Sequence, residues 1–145
     1  MLFQKHLFNS SEKKQIIAAI IAAEMKTSGQ IRVHTETQAK GDALDRAAEV
    51  FRKLGMHKTA KRNAVLIYIA YKDKRFAIIG DKGIHDVVPE NFWDETKEAM
   101  TRYFKEEQFL AGVIYGINES SKHLAKYFPH SASDKNELSN EISEG

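Results

Sequence analysis

The order of apolar patterns along this chain predicts an α/β protein: a three-layer α/β/α sandwich around a small mixed sheet. Three observations carry that reading. Residues 64–71, AVLIYIAY, are apolar on both faces, as a central strand covered by helices on both sides should be. Amphipathic helical stripes alternate with strands in the order αβαββαα. A chain of 145 residues with 42% hydrophobic content is the right size for one domain with one core.

Each element has a local signal. Ser10 or Ser11 can cap a first helix, with Glu12 in its first turn. Ile16, Ile17, Ile20, Ile21 and Met25 give that helix an apolar face, and Ser28-Gly29 end it. A first strand over 30–37 puts Ile31, Val33 and Thr35 on one side and Arg32, His34 and Glu36 on the other. Such a half-polar strand predicts an edge, or one poorly covered face. Asp42 can cap a second helix whose buried face is Leu44, Ala47, Ala48, Phe51 and Leu54, with Gly55 terminating it. The β-α-β unit should make the first two strands parallel through a right-handed crossover. Lys72-Asp73-Lys74 then turns the chain, and 76–80 return as an antiparallel third strand. Pro89 suits the first turn of a third helix with Trp93, Thr96, Met100, Tyr103 and Phe104 on one stripe. Phe109 begins a fourth, running through Leu110, Val113, Ile114, Ile117, Leu124 and Phe128 until Pro129 stops it. The domain is therefore assigned to residues 1–129. Residues 130–145 are Ser- and Glu-rich, with only Leu138 and Ile142 as large apolar side chains, and are predicted to be a disordered polar tail.

Composition excludes several function classes. There is no cysteine, hence no disulfide, thiolate zinc site or cysteine nucleophile. The net charge of +2 is spread along the chain and does not call for nucleic acid. The longest apolar run, 16–23, is far short of a membrane span, and the polar amino-terminal stretch has no signal-peptide pattern. The expected setting is soluble and cytoplasmic. No HExxH, GxSxG, Walker or GxGxxG motif occurs.

The candidate site lies where the predicted hairpin brings its two outer ends together. With Asp73 at the centre of the turn, Val65 falls opposite Asp81 and Asn63 opposite Gly83. Asp81, Asp86 and Glu90 then offer carboxylates and Asn63 an amide oxygen, the ligand types that Ca²⁺ or Mg²⁺ takes. The spacing is not that of an EF-hand, and a polar strand-to-helix loop with Asp86 or Glu90 as cap explains the same residues. Next to this cluster, the donor-rich loop His57-Lys58-Thr59-Ala60-Lys61-Arg62 could hold a phosphate, or serve only as a solvated connector. His34 and Glu36 point the same way from the first strand, near the hairpin turn and away from Asp81. They read either as an acid–base pair or as a salt bridge.

The segment RNAVLIYIAYKDKRFAIIGDKGIHDVVPENFW resembles the TPM domain family, named from a thylakoid lumen protein, a photosystem II repair protein and a modulator of a nematode levamisole receptor. The resemblance rests on the strand entry Asn63-Ala64-Val65-Leu66, the Asp73/Arg75 turn and the Gly80-x-x-Gly83-Ile84 element. GQIRVHTE before it and FLAGVIYGI after it extend the match over about residues 10 to 129, in the manner of the short bacterial branch. The resemblance implies an α/β/α sandwich, divalent-cation binding and, in some plant members, an acid phosphatase activity. It carries over Asn63, Asp81, Gly83 and Asp86.

Two readings follow. In the first, the chain is a binding module that holds Ca²⁺ or Mg²⁺ through Asn63, Asp81, Asp86 and Glu90 and offers a docking surface to a protein partner. In the second, it is a metal-assisted phosphomonoesterase in which Lys61 and Arg62 balance phosphate charge and His85 gives a proton to the leaving group.

Overall fold

The computed structural model describes residues 6–145; the first five residues of the predicted 1–129 domain lie outside that range. The chain runs α1 (Ser10–Glu24), β1 (Gln30–Glu36), α2 (Ala43–Lys53), a 3₁₀ turn (Met56–Lys58), β2 (Ala64–Ala70), β3 (Arg75–Gly80), α3 (Lys82–His85), α4 (Asp94–Lys105), α5 (Phe109–Leu124) and β4 (Ser143–Glu144). The sheet order is β3-β2-β1-β4. β1 and β2 are parallel, from Gln30↔Ala64 to Glu36↔Ala70, and β3 is antiparallel to β2. The sandwich and the mixed sheet are as the sequence predicts, with two added elements, α3 and β4.

The pleat of the sheet separates two cores. On one face Ile31, Val33, Val65, Ile67, Ile69 and Ile78 pack against α1, α4 and α5 through Ile16, Ile20, Met100, Phe104, Val113 and Ile117. On the other, Ala64, Leu66, Tyr68, Ala70 and Ala77 pack against α2 and Met56. All seven residues of β2 are buried, which is what its two-sided apolar sequence requires.

Local details differ from expectation for identifiable reasons. Asn9 caps α1: its side chain accepts from the Glu12 N–H (2.9 Å) while the Glu12 carboxylate accepts from the Asn9 N–H (3.0 Å), a reciprocal box unavailable to Ser10. The buried stripe of α1 narrows to Ile16, Ile20 and Ala23, leaving Ile21 and Met25 exposed. α2 buries Ala43, Ala47, Val50 and Phe51, while Leu44 points to solvent. Small residues at 43 and 47 let this lone helix approach the sheet closely. Residues 89–93 form turns, and α4 starts only at Asp94.

The segment 130–145, expected to be disordered, is laid along the β1 side of the sheet. Its main chain is caught by the Gln30 side chain, which accepts from Glu137 N–H (2.9 Å) and Leu138 N–H (3.1 Å). Its two large apolar residues are divided between the cores, Ile142 on one and Leu138 on the other. β4 then pairs with β1 at His34↔Ser143 and Thr35↔Glu144. β1 is therefore an inner strand, and its polar side chains His34 and Glu36 are buried.

Candidate functional site

The outer ends of the β2–β3 hairpin do meet, one residue out of the predicted register. Val65 pairs with Gly80, so the Asp81 N–H donates to Ala64 O (2.9 Å). Asp81 closes β3 and caps α3, its Oδ1 accepting from the Lys82 N–H at 2.7 Å. The same carboxylate is gripped by Arg62, Nε to Oδ2 at 2.7 Å and Nη2 to Oδ1 at 2.9 Å. This fork is the bidentate geometry of strong arginine–carboxylate pairs. It raises the Arg62 pKa, because Asp81 favours the charged guanidinium.

Arg62 is placed by the turn before β2, where its backbone is left-handed (φ 51°). Its carbonyl accepts from the Gly83 N–H (2.8 Å), so main chain and side chain together fasten this turn to the start of α3. Gly83 is required there. A Cβ would lie 2.3 Å from Lys61 O and 2.6 Å from Arg62 O.

Beside the pair opens a cavity of about 330 Å³ lined by Ala48, Phe51, Arg52, His57, Arg62, Ile79, Gly80 and Asp81. Its floor is apolar, from α2 and β3, and its polar wall carries two arginines and a histidine. His57 Nδ1 is buried with no hydrogen-bond partner among the described residues. Arg52, in the last turn of α2, is the lining residue that sequence reasoning missed. Only the α2–β3 packing brings it alongside the 3₁₀ turn.

The other expected site residues are not gathered on this cavity. Asn63 is buried and its amide donates to Ser28 Oγ (3.2 Å), across the β1 side. Asp86 and Glu90 are exposed, with no side-chain partner among the described residues. Glu90 and His85 line a separate cavity of about 250 Å³ with Ile84, Val88, Phe92 and Trp93. Lys61 turns away from Arg62 towards Asp134 (3.7 Å). Among the described residues, no three His, Asp or Glu side chains converge as a metal cage. The four-ligand set expected from the hairpin thus reduces to Asp81, whose two oxygens Arg62 already engages.

A second polar cluster occupies the far end of β1 and β2. Glu36 accepts from Arg46 Nε (2.8 Å) and Nη2 (3.0 Å), and its Oε1 lies 3.2 Å from His34 Nε2. The Tyr68 hydroxyl also donates to Glu36. His34 stacks on Tyr68 with ring centres 5.8 Å apart. Of the two readings of His34 and Glu36, the arrangement favours a buried structural contact over an acid–base pair, since Arg46 and Tyr68 saturate the carboxylate.

Comparison with known proteins identifies the fold and the family. The chain is similar to the BA42 protein of the psychrophilic bacterium Bizionia argentinensis, whose NMR structure is 46% identical, with all of both chains covered and a TM-score of 0.93. It shares its fold with the N-terminal domain of a P. gingivalis protein (14% identity, 88% of this chain and 83% of that one, TM-score 0.70). The N-terminal domain of cg2496 from Corynebacterium glutamicum is similar in the same way (14%, 95% and 81%, 0.64). No curated protein matches significantly. No described helix is long and apolar enough to cross a membrane. The TPM domain model matches residues 2–123, and the chain belongs to the TPM domain family.

Proposed function

We propose that the protein is a structural or regulatory TPM module that takes a divalent cation, Ca²⁺ or Mg²⁺, at Asp81. The observation that carries the reading is the state of that carboxylate. Asp81 is 6% exposed, yet the Arg62 side chain that neutralises it is 46% exposed. A hard cation entering the adjoining cavity competes with Arg62 for both oxygens, and the guanidinium is free to swing into water. Asp86 and Glu90 add negative potential to the same ten-residue stretch. One carboxylate plus carbonyls and water makes a weak site, with a dissociation constant of roughly 10⁻⁴ to 10⁻³ M.

The test is a titration of the labelled protein with CaCl₂ or MgCl₂, followed by backbone amide shifts. Saturable movement at Arg62, Asp81, Lys82 and Gly83 is expected. Arg62→Ala should tighten binding several-fold by freeing the carboxylate, and Asp81→Asn should abolish it. Unmoved signals across 81–90 overturn the reading. A second reading, a metal-dependent phosphomonoesterase, is favoured by one feature: Arg52, His57 and Arg62 share a wall with Asp81, as charge balance for a phosphoryl group would need. Metal-dependent turnover of a generic phosphate ester, lost in Asp81→Asn, would establish it over the binding module.

A further inference from the structure

We propose that the side of β1 facing segment 131–145 is a strand-addition site, with that segment as its resident occupant. An extended acidic segment of a partner protein displaces it in the same parallel register.

The segment is held mainly through its main chain. Regular pairing is limited to Ser143 and Glu144 against His34 and Thr35, extended by Gly145 N–H donating to Thr35 O (2.9 Å). Upstream, the Gln30 side chain grips main-chain atoms only: it accepts from the N–H groups of residues 137 and 138 and donates to Lys135 O (3.3 Å). Recognition through the main chain is blind to side-chain identity, and it is how strand-addition sites derive affinity.

Selectivity comes from a short register of side-chain positions. Ile142 rests on the larger core. Ser143 Oγ meets His34 Nδ1 at 2.9 Å. Glu144 reaches Lys13 Nζ at 2.9 Å and also pairs with His6. At Gly145 a Cβ would lie 2.6 Å from Glu36 Oε1, so only glycine fits without displacing the buried carboxylate. The edge therefore reads the pattern aliphatic, hydroxyl, acid, glycine. Lys13 and His6, which meet Glu144, favour an acidic strand.

The occupant is held lightly enough to exchange. Its two large apolar anchors are only partly buried, and its ion pairs to Lys13 and Lys61 are solvent-accessible, where such pairs contribute little. The segment also lies beyond residues 2–123, which match the family domain. With the segment lifted away, the main-chain N–H and C=O groups on that side of β1 are left unpaired, and such a row invites another strand.

The experiment uses the full chain carrying Leu138→Glu and Ile142→Glu, which loosen the resident segment and leave β1 untouched. A fluorescent peptide of residues 131–145 with the natural sequence is the probe. It should bind this variant saturably and roughly tenfold or more tightly than the natural chain, whose own segment competes at high effective concentration. Bound peptide should return the His34 and Thr35 amide signals to their natural positions. Full-length Glu144→Lys, which alters no core residue and sets a cation against Lys13 and His6, should bind the peptide a few-fold more tightly than the natural chain, and a Glu144→Lys peptide should bind a few-fold more weakly than the natural peptide. No saturable binding to either variant overturns the proposal, as does equal binding to variant and natural chain. A concentration-dependent dimer of the variant would assign the edge to a second copy and overturn the partner.

Discussion

Glu36 is 7% exposed. Burial alone would raise its carboxyl pKa, but hydrogen bonds from Arg46, Tyr68 and His34 outweigh burial and hold it down at about 2, against an ordinary 4.5. Glu24, whose carboxylate receives the Ile31 N–H (3.1 Å) and no other donor among the described residues, is pushed by burial up to about 7. The two act oppositely on stability. Because the folded pKa of Glu36 is depressed, its contribution is full above about pH 4.5 and disappears as pH falls towards 2. Burial also lowers the His34 pKa, so acidification below the ordinary 6.5 charges His34 more readily in the unfolded chain and adds to the loss. Glu36→Gln should therefore cost on the order of 3 kcal/mol at pH 7, with the gap to the natural protein closing near pH 2. Urea denaturation at pH 7 and pH 3 measures it. An equal gap at both would mean that the charge of Glu36 does not stabilise the fold.

The elements divide by how local their causes are. β2, the hairpin and α5 were legible because period, turn residues and two-sided apolarity lie within the segment itself. α3 was not. Four residues, Lys82–His85, cannot carry a helical period, and the turn exists because Asp81 caps it and the Arg62 carbonyl accepts from Gly83. The site was legible to the same extent: the meeting of hairpin ends follows from topology, and the register missed by one residue. The direction of each side chain was not, since Asn63 is claimed by Ser28 and Lys61 by Asp134, contacts between segments 35 and 73 residues apart. The course of the tail was not legible because its composition is polar, while its contacts come from distant residues: the Gln30 clamp, the β1 edge and the two cores that take Leu138 and Ile142. Gly83→Ala tests the α3 junction. The added methyl meets two backbone carbonyls that cannot both move without breaking the Arg62–Asp81 fork. We expect a loss of about 1–3 kcal/mol, the range for overpacking, read from thermal or urea unfolding. A change under about 0.5 kcal/mol, the size of an ordinary surface substitution, would mean that the junction is loose.

At the scale of the whole molecule, order decreases outward from β2. That strand is buried along its full length and is bonded on both sides, to β1 and β3. α1, α4 and α5 cover one face of the sheet, and α2 covers the other with Met56 and Leu138 beside it. The strap of residues 131–145 is fastened through a two-residue strand, the Gln30 clamp, the Glu137 carboxylate on the Ala60 N–H and ion pairs to Lys13 and Lys61. Regions with few buried apolar contacts open at lower free energy than the core. Native-state hydrogen exchange should therefore resolve two levels. Amides of Val65, Ile67 and Ile69 should exchange only through global unfolding. The amide of Gly145, bonded to Thr35 O, should exchange through an opening at least about 2 kcal/mol cheaper, with the β1–β2 ladder still closed. The strap can admit another strand only if it opens while the sheet stays folded. If Gly145 were as protected as β2, strap and sheet would be one cooperative unit, and the edge of β1 would be closed to any partner.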